Sequence, residues 1–357
     1  MDAIEPFQAL AVSLELKRYY SSTDKENFVT HLPIFIDATC NGLQHLAAMS
    51  SETNLANLVN LMKSSDTDQP EDVYTEMSKK VIEEIKSLVL KKVEDKVVSD
   101  PKYAILLNLK IDRSFVKTGI MTIPYGVTVM GITQQLKSQH FEFIAITNKT
   151  GYYKIKPIYI NPSKAEYKFN SKEIYALANI IHDVLFNSYS NIKCVVDYLK
   201  EMNKFLKSLG CDMGIIWKTP SGLVIEQRYT DTYSVNLITQ IIGKRKSVSL
   251  VKPIKNKISL RKQNTSIIPN LVHSLDASHV TLIVKKLILL DKNINLATIH
   301  DCFATNPNHI NFLNHHIKYA FLNIYADKNY IKEFHMYILD YLKSIGFTVD
   351  EEKNLIR

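Results

Sequence analysis

Two short apolar runs, each leading into an aspartate, stand at opposite ends of this chain. Leu32 to Ile36 reads as a strand ending at Asp37. Leu296 to His300, a turn, and Phe303 to Thr305 read as a tight hairpin with Asp301 at its tip. Most of the remaining pattern is helical, over about 6–20, 40–62, 71–97, 102–123, 172–208, 269–290 and 311–345. A hairpin is expected where Phe143–Thr147 and Tyr152–Ile155 flank Asn148-Lys149-Thr150-Gly151, and strands around the Pro220-Ser221-Gly222 turn within 215–229. Short strands dispersed among long helices imply an α+β fold.

Charge narrows the function. The 357 residues carry 44 Lys and Arg against 36 Asp and Glu, a balance of +8. Eight cations fall in one stretch free of Asp and Glu: Lys244, Arg245, Lys246, Lys252, Lys255, Lys257, Arg261 and Lys262. Without them the chain is neutral, so the excess is a local footprint for a polyanion. These cations alternate with Val, Ile and Leu and read as a ribbon. A composition 46% hydrophobic and 22% charged is that of a globular protein. No apolar run reaches the roughly 20 residues expected of a bilayer span. Cys40, Cys194, Cys211 and Cys302 lie far apart with no CxxC pair, which disfavours a disulfide framework or a zinc knuckle. The first residues, Met1-Asp2-Ala3-Ile4-Glu5, match neither a signal peptide nor an Arg-rich transit peptide.

Three segments could carry chemistry. Asp37 follows its strand and precedes small residues and a helix, a position suited to a metal ligand and equally to a helix cap. Arg113, Lys117, Met121 and Tyr125 recur every fourth residue. Each such step drifts by only about 40° around a helix, so the four share one face. Two cations, a thioether and a phenol suit an anionic, aromatic ligand such as a nucleotide; a solvated basic stripe is the plainer alternative. Pro124 withholds the amide that would bond the carbonyl of Ile120 and marks a hinge beside Tyr125 and Gly126. Asp301 at a hairpin tip fits a rigidly presented ligand or an ordinary turn residue. Two strand-end carboxylates with a cationic helix fit two-metal phosphoryl transfer, and carboxylates favour magnesium.

Together these residues resemble the bacteriophage-type single-subunit RNA polymerases, including the branch of mitochondria and fungal mitochondrial plasmids. Asp37-Ala-Thr-Cys-Asn-Gly-Leu-Gln-His45 is similar to motif A of that family, Arg113-x3-Lys117-x3-Met121-Thr122-x2-Tyr125-Gly126 to motif B, and His300-Asp301-Cys302-Phe303 to motif C. Pro269-Asn-Leu-Val-His273-Ser-Leu-Asp276-Ala-Ser-His279 resembles the block before motif C, and Trp217-Lys-Thr-Pro-Ser-Gly222 a segment of the fingers. The resemblance implies a right-handed polymerase, mostly helical with a small antiparallel palm sheet. It divides the chain into palm (1–65), fingers (66–272, with the basic ribbon against nucleic acid) and palm again (273–357).

It further implies a DNA-directed RNA polymerase acting on NTPs, a DNA template and an RNA 3′ end. Asp37 and Asp301 would hold two Mg²⁺ ions, and Arg113 and Lys117 would bind the triphosphate. Lys117 would also protonate the leaving pyrophosphate. Tyr125 and His273 would sense the ribose, Met121 would lie against base or sugar, and Gly126 would approach the template. His300 would be a positioning residue, while Gln44 and His45 would be structural. The promoter domain and thumb have no counterpart in this sequence, so a partner supplying that portion, or a transcription factor, is expected. The abundance of Lys, Ile and Asn suits an A·T-rich gene, and the mitochondrial matrix is the expected location. A related single-chain DNA polymerase and an inactive remnant that binds nucleic acid are the competing readings. Gly42-Leu43-Gln44, where the DNA polymerases carry a Glu that blocks a 2′-hydroxyl, favours ribonucleotides.

Overall fold

The computed structural model describes residues 5–62, 69–90, 92–93, 96–97, 101–144, 158–210, 214–241, 244–290, 294–326, 329–350 and 355–356. Within them the two aspartate-bearing segments meet. Strand Ile34–Ile36 pairs antiparallel with Cys302–Thr305, and Cys302–Thr305 pairs with Ala297–Ile299, giving a three-stranded sheet with Cys302–Thr305 in the middle. The ladder sets Ile36 opposite Phe303 and closes the hairpin at Ile299 and Cys302. Phe303 points beneath the sheet into a small core with Ile283, Leu287, Leu313 and Ala320.

The helical pattern is right in kind and too generous in length. The span 40–62 is two helices, Asn41–Ser50 and Thr53–Leu58, separated where Ser51 takes a left-handed conformation (φ 53°). The span 71–97 ends as helix at Val89, and Lys92–Val93 pairs with Lys96–Val97 as a short strand pair. β-branched valines favour that outcome over helix. Only Pro101–Ala104, a 3₁₀ turn Ile105–Asn108 and Arg113–Thr122 form within 102–123. Asp112 restarts the chain there by accepting from the Phe115 amide at 3.2 Å, a helix cap. The span 172–208 is Ser171–Ser188 and Ser190–Ser208, broken at the buried Tyr189. The C-terminal span is Ile310–Tyr325 and Tyr330–Ser344.

The helix expected from 269 starts earlier, at Leu260, and runs to Leu290 with Pro269 inside it. The boundary expected at 272/273 thus falls within one continuous helix. Its length and apolarity would suffice to cross a bilayer, but Ile267, Leu271, Leu275, Ile283 and Leu287 are all buried in the protein core. Around it pack Asn41–Ser50, Ser190–Ser208 and Ile310–Tyr325. Strands Ile215–Lys218 and Val224–Gln227 form a hairpin beside it. The buried Trp217 indole donates to Ser274 Oγ at 3.1 Å. Gln227 and Gln263 bond reciprocally.

The basic stretch is one arm of a long two-stranded ribbon, Thr230–Ile241 paired with Lys244–Ile258. Arg261 and Lys262 lie beyond it, in the first turn of the long helix. The ribbon is not without counter-charge: Lys257 meets Asp231 of the opposite strand at 3.3 Å. Short-range sequence hid that pairing because Asp231 lies outside the basic stretch. The expected hairpin near 143–155 is only partly described. Glu142–Ile144 pairs with Ile158–Ile160, while the Asn148–Gly151 turn and Tyr152–Ile155 lie outside the described residues. Helix Pro6–Ser21 forms as expected yet has no buried residue, so its apolar side chains face outward.

Candidate active site

The site grows from the end of the small sheet. Asp37 is one residue past Ile36, and Asp301 one residue before Cys302, so the ladder brings the two carboxylates to the same sheet end. His300 holds φ at 54°, which lets a two-residue turn present Asp301. A non-glycine residue in this region stores local strain, as functional turns often do. Burial pushes the Asp301 carboxyl up, and the negative charges of Asp37 and Asp276 push it the same way. Asp37 itself is exposed, with Oδ1 accepting from the Ala38 amide at 3.0 Å. The loop behind it is tied by Asn60, which donates to Thr39 Oγ1 and to the Glu71 carbonyl, both at 3.0 Å.

Helix Arg113–Thr122 brings the cations. Arg113 Nε meets Asp72 Oδ2 at 2.6 Å, and its guanidinium lies 5.3 Å from the Tyr74 ring centroid. Lys117 Nζ lies 6.0 Å from the same ring. Burial pushes the Tyr74 hydroxyl up, and Cys40, its hydrogen-bonding neighbour, adds to that. Burial also pushes up the Cys40 thiol, which feels both Asp301 and Lys117. Cys40 thus marks the place where the aspartate end of the sheet and the cationic helix come within electrostatic reach.

The helix ends as expected at Pro124: Ile123–Tyr125 is a 3₁₀ turn and Gly126 follows with φ 79°. Two glycines allow this turn to be clamped. A Cβ on Gly42 would stand 2.7 Å from Pro124 Cβ and 3.1 Å from Tyr125 Cε2. A Cβ on Gly126 would stand 2.6 Å from Pro269 Cγ of the long helix. Tyr125 is half-buried, and its ring centroid lies 4.8 Å from that of the exposed His273. Burial, then Asp276 and Asp301, push its hydroxyl up. Met121 and Lys117 are exposed on the same helix.

Sequence reasoning passed over Asn41 and Asp276 as site residues. Both are buried, and Asn41 Nδ2 donates to Asp276 Oδ1 at 2.8 Å. Their pairing joins positions 235 apart, so no local signal announces it. Gln44 and His45 are structural. Gln44 Nε2 donates to the Val59 carbonyl at 2.8 Å. His45 is fully buried, with Nδ1 2.7 Å from the Tyr325 hydroxyl and Nε2 without a hydrogen-bond partner. Burial, reinforced by His279, pushes its imidazole down to about 3.

Among the described residues no three His, Cys, Asp or Glu side chains converge as a metal cluster. The carboxylate pair still fits magnesium, which binds through one or two carboxylates and completes its shell with water and phosphate. A cation beside Asp37 and Asp301 would offset the burial and the like-charge repulsion that together raise Asp301.

The ribbon stands apart from this centre. Arg245, Lys246, Lys252, Lys255 and Lys257 are exposed along it. The side chain of Lys244 lies outside the described residues.

Residues 1–354 match the protein family described as DNA-dependent RNA polymerase. A probable DNA-directed RNA polymerase of Neurospora crassa is 38% identical over 337 residues, covering 94% of this chain and 36% of that protein. One from Podospora anserina is 31% identical over 334 residues, covering 92% of this chain and 34% of its own. The mitochondrial DNA-directed RNA polymerase of Schizosaccharomyces pombe is 32% identical over 332 residues, with 91% and 26% covered. The chain therefore spans between a quarter and just over a third of the length of these relatives.

Proposed function

Since the chain belongs to the bacteriophage-type single-subunit family of DNA-dependent RNA polymerases, we propose that it is the nucleotide-adding portion of such an enzyme. On this reading it works on NTPs, a DNA template and an RNA 3′ end. The observation that carries the reading is the ladder that sets Asp37 and Asp301 at one sheet end, with Lys117 and Tyr125 in electrostatic reach.

Asp37 and Asp301 would hold two Mg²⁺ ions. When bound, these supply activation of the 3′-hydroxyl and neutralisation of the departing pyrophosphate. Lys117 and Arg113 bind the triphosphate, and Lys117 hands the leaving pyrophosphate a proton. Asp72 engages Arg113 at Nε, so the Nη ends of the guanidinium are the ones assigned to phosphate. Met121 lies against the nucleotide, Tyr125 and His273 meet the ribose, and Gly126 leaves room for the template. His300 positions Asp301. The ribbon cations with Arg261 and Lys262 contact phosphates of the template or product, adding affinity that falls with salt.

The palm comprises 1–65 and 273–357, and the fingers 66–272. A mitochondrial site of action is in keeping with the Schizosaccharomyces pombe relative, whose name carries that location. Promoter recognition belongs to a further polymerase portion or a transcription factor.

Primer extension tests the reading. Wild-type chain with Mg²⁺ should extend an RNA primer on a DNA template with NTPs, and Asp301→Asn should bind template and add nothing. Extension with dNTPs but not NTPs would make it a DNA polymerase. Template binding without any extension by wild type would make it a remnant.

A further inference from the structure

The Gly126 turn leads into a second cleft, which shares no residue with the carboxylate pair or the cationic helix face. Helix Val129–His140 packs there against helix Ser171–Ser188. Lys102, Met130, Ser171, Lys172, Glu173 and Tyr175 line a cleft of about 660 Å³. We infer that this cleft binds the unpaired template strand ahead of the nucleotide-adding centre, with phosphates on Lys102 and Lys172 and bases against Met130 and Tyr175. This rests on the proposal that Gly126 lies against the template.

Two large apolar side chains stand in the open at this cleft. Met130 is 56% exposed and Tyr175 44%. The same helices bury Ile132, Leu136, Ile174 and Leu177, so core packing does not account for the exposed pair. A phenol ring and a polarizable thioether offer faces on which any base can lie. The surrounding charge complements a polyanion. Lys102 and Lys172 are exposed. Lys137 adds a third cation beside Ser171, donating to its Oγ at 3.1 Å while lying 4.5 Å from the Tyr159 ring centroid. The one carboxylate of the lining is engaged elsewhere. Glu173 accepts from the Asn170 amide at 2.8 Å and from Asn170 Nδ2 at 2.6 Å, closing a capping box at the helix start. Cations beside exposed apolar faces in one groove suit single-stranded nucleic acid. A duplex keeps its bases stacked inside and would leave Met130 and Tyr175 uncovered.

Position selects the template strand. Met130 follows Gly126 by four residues, in the first turn of its helix. Thr128 caps that turn, its Oγ1 accepting from the Gly131 amide at 3.1 Å, so Met130 is held in place. Four residues span at most about 14 Å. A stacked strand advances about 3.4 Å per nucleotide, so the cleft begins within about four nucleotides of the base at Gly126.

Fluorescence anisotropy of the full chain on an RNA-primed DNA template tests this. The template carries no 5′ overhang, a single-nucleotide overhang, or one of about eight nucleotides, twice the span to the cleft. Wild type should bind the long overhang roughly tenfold or more tighter than the blunt substrate, with little of that gain from a single nucleotide. Tyr175→Ala and Met130→Ala should each lower the gain roughly fivefold and leave blunt binding unchanged. Lys172→Gln should flatten the salt slope of long-overhang binding by about 0.7. All three side chains are exposed, so circular dichroism should find the fold intact. Equal losses on blunt and overhang substrates, or an unchanged gain in the variants, would overturn the cleft's role. A gain from an unpaired RNA 3′ flap in place of the template overhang would overturn the assignment to the template strand. Extension with NTPs reads the polymerase proposal separately. Overhang preference without extension would leave the cleft standing, and extension without overhang preference would remove it.

Discussion

Acidification should weaken this fold through His45, by an amount that follows from its burial. The ring is fully buried between Phe321 and Tyr325, with centroids 5.1 and 6.0 Å away, and faces His279 at 6.3 Å. Nδ1 meets the Tyr325 hydroxyl, and Nε2 has no partner. Burial disfavours the cation, and His279 adds to that, so the imidazole stays neutral down to about 3 against an ordinary 6.5. In the unfolded chain the same ring takes its proton near the ordinary value. Between those two values the unfolded state binds one more proton than the native state. Stability is therefore full above about pH 6.5 and falls as pH drops, by about 1.4 kcal/mol per unit. At about pH 5 the loss from His45 alone is about 2 kcal/mol, a large share of a typical folding free energy. Burial pushes His279 down as well, so wild type carries slope from both rings. Urea unfolding of wild type and His45→Gln from about pH 7 to about pH 5 isolates the first. Gln keeps a donor for Tyr325 and does not titrate, so its stability should fall less steeply by about 1.4 kcal/mol per unit. Parallel curves for the two proteins would refute the burial argument.

Three further outcomes are expected. Gly42→Ala drives a methyl to 2.7 Å from Pro124 Cβ; thermal unfolding should show a loss of about 1–3 kcal/mol, and nucleotide titration a weaker ribose preference. Asp72→Ala removes an N-cap bond to the Tyr74 amide and the half-exposed pair with Arg113; calorimetry should find about 1 kcal/mol lost, mostly from the cap, because exposed ion pairs contribute little. Replacing Lys246, Lys252 and Lys255 by Gln should flatten the slope of log affinity against log salt for nucleic acid by about one per phosphate contact removed, without changing the fold, as filter binding and circular dichroism would show.

The motifs and their order were legible because each is local: Asp37 ends an apolar run, Pro124 stops a helix, and His300-Asp301 make a hairpin tip. Pairing across the chain was not. Nothing near Ile34–Ile36 names Cys302–Thr305 as its partner, and nothing near Asn41 names Asp276. Helix limits failed where a cap or a buried aromatic decides. The Asp112 cap was passed over inside the expected 102–123 span, and the break at Tyr189 follows from packing and carries no glycine or proline. Pro269 misled in the opposite sense. It looked like a start, but a long apolar face held in the core carries the helix through it.

That helix has a mechanical consequence. Its 31 residues make a rod of roughly 46 Å at the usual rise per residue. One end begins two residues after the ribbon, and His273 and Asp276 lie along its middle. A rod this stiff converts any tilt of the ribbon into displacement at His273 and Asp276. The compliant point is Pro269, where a backbone bond is lacking and Gly126 rests against the ring. The fold therefore places its fulcrum one turn away from His273, where a small rotation of a long arm is felt as a small shift in the tilted contact between the His273 and Tyr125 rings.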